Sequence, residues 1–326
     1  MAKATPRGPR GLLIDIKDMF LVGVWVGTVM FVGAWLLTAL ACLALFPKTG
    51  AVLTTLFVVF MVIPIGKTTP AWGKQLVAAS TVACAKFYSL RVIMDDGATL
   101  KPEKSYIFGY EPHSALPVVQ PLVFSGYSRV APKALKGVPM LATSMVFWTP
   151  LVRHMWWWLG ARPVSRQSMS SLLASGQGCS LVPGGVRELE YMKPGSEVAF
   201  LRQRHGFVKL AIQHGTPLVP VVAIGQTNAY AIKRIGPPVL PKSLMDSLSR
   251  TIGFAPVYLS GHWGTPFPKK TRITVAVGRP IDVPHDDSPS REVVQKFLDA
   301  FITSMQDLYD RHKADAGYPN SELRIV

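Results

Sequence analysis

The sequence is poor in cysteine, with only three such residues: Cys42, Cys84 and Cys179. An odd number of cysteines at wide spacing indicates neither a disulfide framework nor a zinc site built on paired thiolates. We therefore expect the main part of the chain to lie in a reducing, cytosolic environment.

Acidic residues are also scarce, since 19 Asp and Glu stand against 35 Lys and Arg, giving a formal net charge of +16. A basic balance favours anionic partners: nucleic acid, anionic lipid headgroups or a phosphorylated ligand. The chain lacks zinc-finger spacing, an aromatic RNA-binding motif and a dense basic run, so no nucleic-acid partner is expected. A membrane surface together with a phosphate-bearing ligand fits better.

Three common enzyme motifs are missing. There is no G-x-S-x-G, which argues against the usual serine lipase. Residues 66–68 read Gly-Lys-Thr, but the glycine that a phosphate loop needs at position 61 is Met61. His205 and His214 are nine apart, which is poor ligand spacing, so we expect no metal site.

Charge is absent from residues 19–46, a run longer than the about 20 residues that cross a bilayer. Residues 47–50 interrupt it, and residues 51–65 are apolar again. We predict a transmembrane helical hairpin over residues 19–66. One span plus a re-entrant segment is the alternative, whereas a signal peptide would have a shorter apolar run.

Basic residues flank this hairpin on both sides, namely Lys3, Arg7, Arg10, Lys17, Lys67 and Lys74. The positive-inside rule then places both ends in the cytosol, with residues 1–18 as a basic N-terminus. Residues 67–97 are predicted to contain an interfacial amphipathic helix at 71–93, because apolar residues recur three or four apart. An ordinary core-packing helix is the equal alternative.

The remaining residues, 98–326, alternate β-rich runs with helical patterns, which predicts an α/β domain with a mixed sheet flanked by helices. The predicted strands are 106–110, 180–182, 218–224 and 272–277. The predicted helices are 133–141, 168–175 and 199–214, and a last helix with Ser288 as its cap and Pro289 in its first turn.

Polar residues follow two of these strands, where α/β proteins place chemistry. The His113 turn, residues 110–114, carries a histidine whose neutral imidazole can accept a hydroxyl proton. Glu111, two residues away in an extended stretch, projects to the same side and is a candidate for orienting the ring. A structural histidine is the alternative, and spacing alone favours it.

The glycine turn, residues 183–188, is the second such place. Gly184 and Gly185 permit close backbone approach, and their N–H groups are candidates for binding a phosphate or an oxyanion. Arg187 is a candidate for neutralising phosphate, and Glu188 adds a carboxylate. The alternative is a tight strand-to-helix turn with a surface ion pair.

Together, the two turns and the Arg-His-Gly-Phe-Val-Lys-Leu-Ala segment at 204–211 resemble the type-2 diacylglycerol acyltransferase family over about residues 19–310. Animal and fungal members usually read HPHG at the first motif, whereas this chain has EPHS, the form typical of plant and algal members. His113 is common to both forms. The resemblance therefore implies that His113 is the general base, with Glu111 in a supporting role.

A more distant resemblance is to glycerolipid acyltransferases with an HX4D motif, through residues 160–166, 183–188 and 216–221. Their aspartate would fall at position 118, which is Val118 here. The carboxylate that usually orients the histidine is thus missing, and Glu188 or Glu111 is expected to replace it.

These resemblances imply transfer of a fatty-acyl group from acyl-CoA, as co-substrate, to the hydroxyl of diacylglycerol, without a metal or redox cofactor. Monoacylglycerol or a long-chain alcohol as acceptor, and a non-enzymatic membrane lipid-binding protein, are the alternatives. The expected location is the endoplasmic reticulum membrane, with the catalytic domain facing the cytosol, and lipid droplets as a second place. Expected substrate-binding residues are Ser114, Arg166, Gly184, Gly185, Arg187, Lys193 and Lys209.

Overall fold

The structure is a computed structural model that describes residues 15–66, 68–192, 196–234 and 257–326. Most of the expected basic N-terminus, and also Lys67 and Lys193, lie outside the described residues.

The N-terminal part of the chain is a pair of packed helices, α1 (Ile16–Leu45) and α2 (Pro47–Val62). The Trp35 ring lies 5.5 Å from the Phe57 ring, and its Nε1 donates to the Leu53 carbonyl oxygen at 3.2 Å. The two helices of the expected hairpin are therefore present and in contact. Over the described residues, no helix combines the length and the apolar character needed to cross a membrane. The transmembrane placement of the hairpin stays a prediction.

Helix α3 (Ala71–Phe87) packs on the domain and on α1, where Lys86 Nζ lies 2.6 Å from Asp18 Oδ2. Its extension to residue 93 was predicted wrongly, because Ser89 takes a left-handed φ of 43° and Arg91–Met94 form strand β1. Its buried residues are Gly73, Val77, Ala78, Ser80, Thr81, Ala83, Cys84 and Phe87. This face favours the core-packing alternative, and interfacial placement stays a prediction.

The centre of the domain is a mixed sheet. The strands after β1 are β2 (Ile107–Glu111), β3 (Met140–Ala142), β4 (Ala161–Pro163), β5 (Cys179–Leu181), β6 (Ser196–Ala199), β7 (Leu218–Ile224), β8 (Ala231–Arg234), β9 (Val257–Ser260), β10 (Thr274–Val277) and β11 (Glu322–Ile325). Seven strands form the central sheet, in the order β1-β10-β7-β2-β5-β3-β4. β2, β3, β4, β5 and β7 run parallel, β10 runs antiparallel to β7, and β1 runs parallel to β10. The predicted α/β class with a mixed sheet is confirmed.

Helices cover both faces of this sheet. After α3 they are α4 (Gln120–Phe124), α5 (Ser144–Trp148), α6 (Val152–Leu159), α7 (Arg166–Ala174), α8 (His205–His214) and α9 (Arg291–His312). Since side chains alternate along a strand, Phe108 and Tyr110 of β2 pack with α3, α4 and α6, and Ile107 packs with α7, α8 and α9. A Cβ added at Gly109 would overlap the Phe301 ring, so glycine lets α9 lie close to β2.

Most of the strands and helices predicted after residue 98 lie within two residues of the observed ones, but two predicted helices need correction. Residues 133–141 form turns that lead into β3, because Gly137 takes a left-handed φ of 90° and Pro139 has no N–H to donate. The helix predicted at 199–214 begins only at His205. Ala199 is the last residue of β6, which pairs in parallel with the C-terminal strand β11, and residues 200–204 form a loop between β6 and the helix.

The last helix is confirmed, but its cap is Ser290 and not Ser288. The Ser290 hydroxyl accepts a hydrogen bond from the Val293 amide at 3.3 Å, two residues beyond the predicted start. The apolar side of this helix faces the sheet, with Leu298, Phe301 and Met305 fully buried.

Candidate functional site

The His113 turn and the glycine turn lie side by side at one edge of the sheet. The first follows β2 and the second follows β5, and these two strands are parallel neighbours. Because parallel neighbours end at the same edge, their carboxyl ends bring the two turns together. The sequence predicts the turns separately, and the sheet order joins them in one site.

Each turn holds the other through a buried glutamate. Glu188 of the glycine turn accepts hydrogen bonds at Oε2 from the backbone N–H groups of His113, at 2.5 Å, and Ser114, at 3.3 Å. Glu111 of the His113 turn accepts at Oε1 from the Gly184 N–H, at 2.6 Å. Both glutamates are fully buried. We call these two side chains the carboxyl pair.

Both carboxyl groups of the pair have pKa values above the usual value for glutamate. Burial raises the pKa of both groups, that of Glu111 to about 7, and the charge of Glu111 raises the pKa of Glu188 further. The nearby Arg204 acts in the opposite direction on Glu111. Its Nη2 also donates to the Gly184 carbonyl oxygen at 2.7 Å, which ties the start of α8 to the glycine turn.

The His113 ring is oriented by the backbone. Its Nδ1 lies 2.9 Å from the Ser114 carbonyl oxygen, and a carbonyl oxygen only accepts, so Nδ1 carries the proton and Nε2 the lone pair. Burial lowers the pKa of His113 below its usual value of 6.5, so the ring is neutral near neutral pH. The sequence assigned this orienting role to Glu111 or Glu188, but the structure gives it to Ser114, whose φ of 55° turns its carbonyl toward the ring.

A third strand contributes Gln226, which the sequence interpretation missed. This fully buried residue follows β7, the other parallel neighbour of β2. Its Oε1 accepts from the Tyr110 hydroxyl at 2.6 Å, and its Nε2 donates to the Pro112 carbonyl oxygen at 2.7 Å. Gln226 therefore holds the side chain of Tyr110 and the backbone of Pro112, the two residues that flank Glu111. A polar residue after a predicted strand was the available signal.

Comparison with known proteins agrees with this arrangement. A model of the family described as diacylglycerol acyltransferase matches residues 21–326, which include both turns. The chain belongs to the diacylglycerol acyltransferase family. As a member of this family, it is an acyltransferase.

Relatives in the diacylglycerol acyltransferase family match most of the chain. Diacylglycerol O-acyltransferase 2-like protein 6 of Mus musculus is 33% identical over 252 residues, covering 70% of this chain and 72% of that protein. 2-Acylglycerol O-acyltransferase 3 of Homo sapiens is 30% identical over 249 residues, covering 72% of each. Diacylglycerol O-acyltransferase 2 of Homo sapiens is 32% identical over 235 residues, covering 68% of this chain and 60% of that protein.

A solved structure also aligns with this family member. It is the 1-acyl-sn-glycerophosphate acyltransferase PlsC from Thermotoga maritima, with 13% sequence identity and a TM-score of 0.46. The alignment covers 93% of this chain and 96% of that chain.

The two glycines of the glycine turn have different surroundings in this acyltransferase. The Gly184 N–H already donates to Glu111, and a Cβ added at Gly184 would overlap Glu188 Oε1. Gly185 takes a left-handed φ of 61°, and an added Cβ there would meet nothing within 4 Å. Gly184 thus serves the packing of the site, and the position of a Cβ at Gly185 is open.

The basic residues named from the sequence are not all at this site. The exposed Arg187 belongs to the glycine turn, and its guanidinium carbon lies 5.5 Å from the centre of the Phe200 ring. Arg166 instead starts α7 and donates to Gln213, in the last turn of α8, at 3.3 Å. Lys209 is exposed on α8.

Proposed function

We propose that this protein transfers a fatty-acyl group from acyl-CoA to the free hydroxyl of diacylglycerol, forming triacylglycerol and coenzyme A. The observation that carries the proposal is the His113 ring, whose unprotonated Nε2 lies at the edge where both turns meet. The names of the relatives support the acyl acceptor, since they include diacylglycerol and 2-acylglycerol acyltransferases.

The chemistry needs one proton acceptor and one leaving group. His113 Nε2 takes the proton of the acceptor hydroxyl as the oxygen attacks the thioester carbonyl carbon. The tetrahedral intermediate then collapses, the carbon–sulfur bond breaks, and the sulfur leaves with the proton that the imidazolium returns. The Nδ1–H bond to the Ser114 carbonyl stabilises the positive ring during this step.

The glycine turn suits the acyl-CoA side of the reaction. Gly185 leaves open space beside the His113 turn, and the exposed Arg187 supplies positive charge for a coenzyme A phosphate. Ser114, Arg166 and Lys209 are proposed as further contacts to the substrates. No cofactor beyond the co-substrate acyl-CoA is part of this proposal.

The acceptor is tested by giving the purified full-length protein labelled acyl-CoA with diacylglycerol, monoacylglycerol or a long-chain alcohol. We expect the largest kcat/KM with diacylglycerol and labelled triacylglycerol as the product. A larger value with monoacylglycerol or the alcohol would replace the proposed acceptor. Binding of lipid without any labelled product would contradict acyl transfer and favour a lipid-binding protein.

We further propose that the helix pair α1–α2 holds the protein in the endoplasmic reticulum membrane, with the catalytic domain in the cytosol and lipid droplets as a second location. Apolar side chains exposed on the helix pair support this placement, among them Leu36, Leu37, Leu40, Leu45, Val52, Leu56, Val58 and Val59. Exposed apolar surface of this kind is typical of a membrane contact.

Membrane placement predicts two results for the full-length protein. It should remain in the membrane pellet after alkaline carbonate extraction, because burial of the apolar helices does not depend on surface charge. In sealed microsomes, added protease should remove a C-terminal epitope, since both ends of the hairpin face the cytosol. Release into the carbonate supernatant, or a protected epitope, would contradict the placement.

A further inference from the structure

The carboxyl pair crosses between the two turns, so neither turn can move without losing a buried hydrogen bond. Glu188 reaches from the glycine turn to the backbone of His113, and Glu111 reaches back to Gly184. The side chains of Glu111 and Glu188 are also close enough for each to shift the pKa of the other. Two ionised carboxylates cannot hydrogen-bond to each other, because neither has a hydrogen to donate.

The hydrogen-bond donors around the pair show where the proton belongs. Both oxygens of Glu188 face backbone N–H groups, Oε2 those of His113 and Ser114, and Oε1 that of Phe200 at 3.4 Å. Among the described residues, no N–H group reaches Oε2 of Glu111. A proton on Glu111 Oε2 therefore opposes none of these donors, whereas a proton on Glu188 would face an N–H donor.

We propose that Glu111 and Glu188 share a single proton, carried by Glu111, and that this protonated pair locks the His113 turn to the glycine turn. Glu111 is then a positioning residue for His113. The kcat measurements that test this inference rest on the proposed function, whereas the melting temperatures do not.

Loss of the shared proton should weaken the lock. It would leave two negative charges in contact in a buried site, where they repel strongly. The folded-state pKa of Glu111 is raised from 4.5 to about 7, so the stability that the proton provides is present below the unfolded value and is lost as pH rises from there through the folded value. The melting temperature should fall over this interval, and activity should fall as pH rises past the folded-state pKa.

Other titratable groups lie around the pair, and any test must leave them unchanged. They are Tyr110 and His113 from β2 and its turn, Arg187 from the glycine turn, Glu197 from β6, and Arg204 at the start of α8. Burial raises the pKa of Glu197 to about 7, so it titrates in the same range. A variant of Glu111 alone leaves all five in place and isolates the pair.

Two isosteric variants distinguish the partners. In Glu111→Gln, the amide oxygen accepts from Gly184 and the NH₂ group donates to Glu188, which reproduces the protonated acid. Its melting temperature near neutral pH should stay close to that of the wild type. In Glu188→Gln, every amide orientation sets the NH₂ group against an N–H donor, so kcat should fall about tenfold to a hundredfold, as expected for a buried donor left unsatisfied.

The decisive measurement is melting temperature and kcat across about pH 4 to about pH 9 for the wild type, Glu111→Gln and a control, Glu103→Gln, at an exposed position in the loop before β2. The wild type and the control should lose both quantities as pH rises through this range. In Glu111→Gln, both losses should be smaller, because the amide does not ionise.

The inference is overturned if Glu111→Gln keeps the wild-type melting profile, or if Glu188→Gln is the better tolerated variant. The melting profile does not depend on which lipid is the acceptor. If the melting profiles of the wild type and Glu111→Gln differ but no acyl transfer is found, the shared proton is supported and the proposed function is contradicted. If acyl transfer is found but the two melting profiles coincide, the proposed function is supported and the shared proton is contradicted.

Discussion

His113→Ala should lower kcat for acyl transfer by roughly 10²–10⁴-fold, the contribution of a positioned general base. The methyl group of alanine cannot take the hydroxyl proton that Nε2 takes in the wild type. The backbone N–H that Glu188 holds is retained, so the two turns should stay joined. Initial rates with labelled acyl-CoA and diacylglycerol measure the effect, and KM should change much less than kcat.

A histidine outside the site provides the matched control. His214 lies in the last turn of α8, and His214→Ala should keep wild-type turnover. Melting temperatures of both variants show whether the fold is intact. If His113→Ala kept more than about a tenth of wild-type kcat, His113 would not be the general base.

The two turns of the site and the four strands β2, β5, β7 and β10 were predictable, because their signals are local, whereas the other seven strands of the described residues were not predicted. The buried strand β2 reads as a short apolar run, and polar residues directly after it mark the His113 turn. The glycine turn follows β5 in the same way. Where local signals competed, sequence interpretation failed. The helix predicted at 199–214 begins six residues late, because Ala199 still pairs with the distant strand β11 and residues 200–204 form a loop.

The contacts inside the site were not predictable, because they depend on strand order. Glu111 and Gly184 are 73 residues apart in sequence and meet only because β2 and β5 are neighbours. Local geometry suggested that Glu111 reaches the imidazole, yet it reaches the other turn. Gln226 enters the site because β7 lies on the opposite side of β2. No spacing along the chain encodes that adjacency.

Gly184→Ala should nearly abolish activity through a single methyl group. The backbone at Gly184 has φ −62° and ψ −44°, which alanine adopts without strain, so the effect is purely steric. The added Cβ would overlap Glu188 Oε1, and the carboxyl would have to withdraw from the His113 N–H. We expect a loss of about 1–3 kcal/mol in the free energy of unfolding from overpacking, and a fall in kcat of at least about tenfold.

A second substitution tests whether that methyl group acts through Glu188. Shortening the carboxylate in Gly184→Ala/Glu188→Asp makes room for it, so the double variant should be more active than the product of the single effects predicts. Gly206→Ala is the matched control, because Gly206 lies in the first turn of α8 and an added Cβ meets nothing within 4 Å. This control should keep its activity and gain stability, since alanine favours helix. Full activity in Gly184→Ala would mean that the close contact between glycine and glutamate does not hold His113 in place.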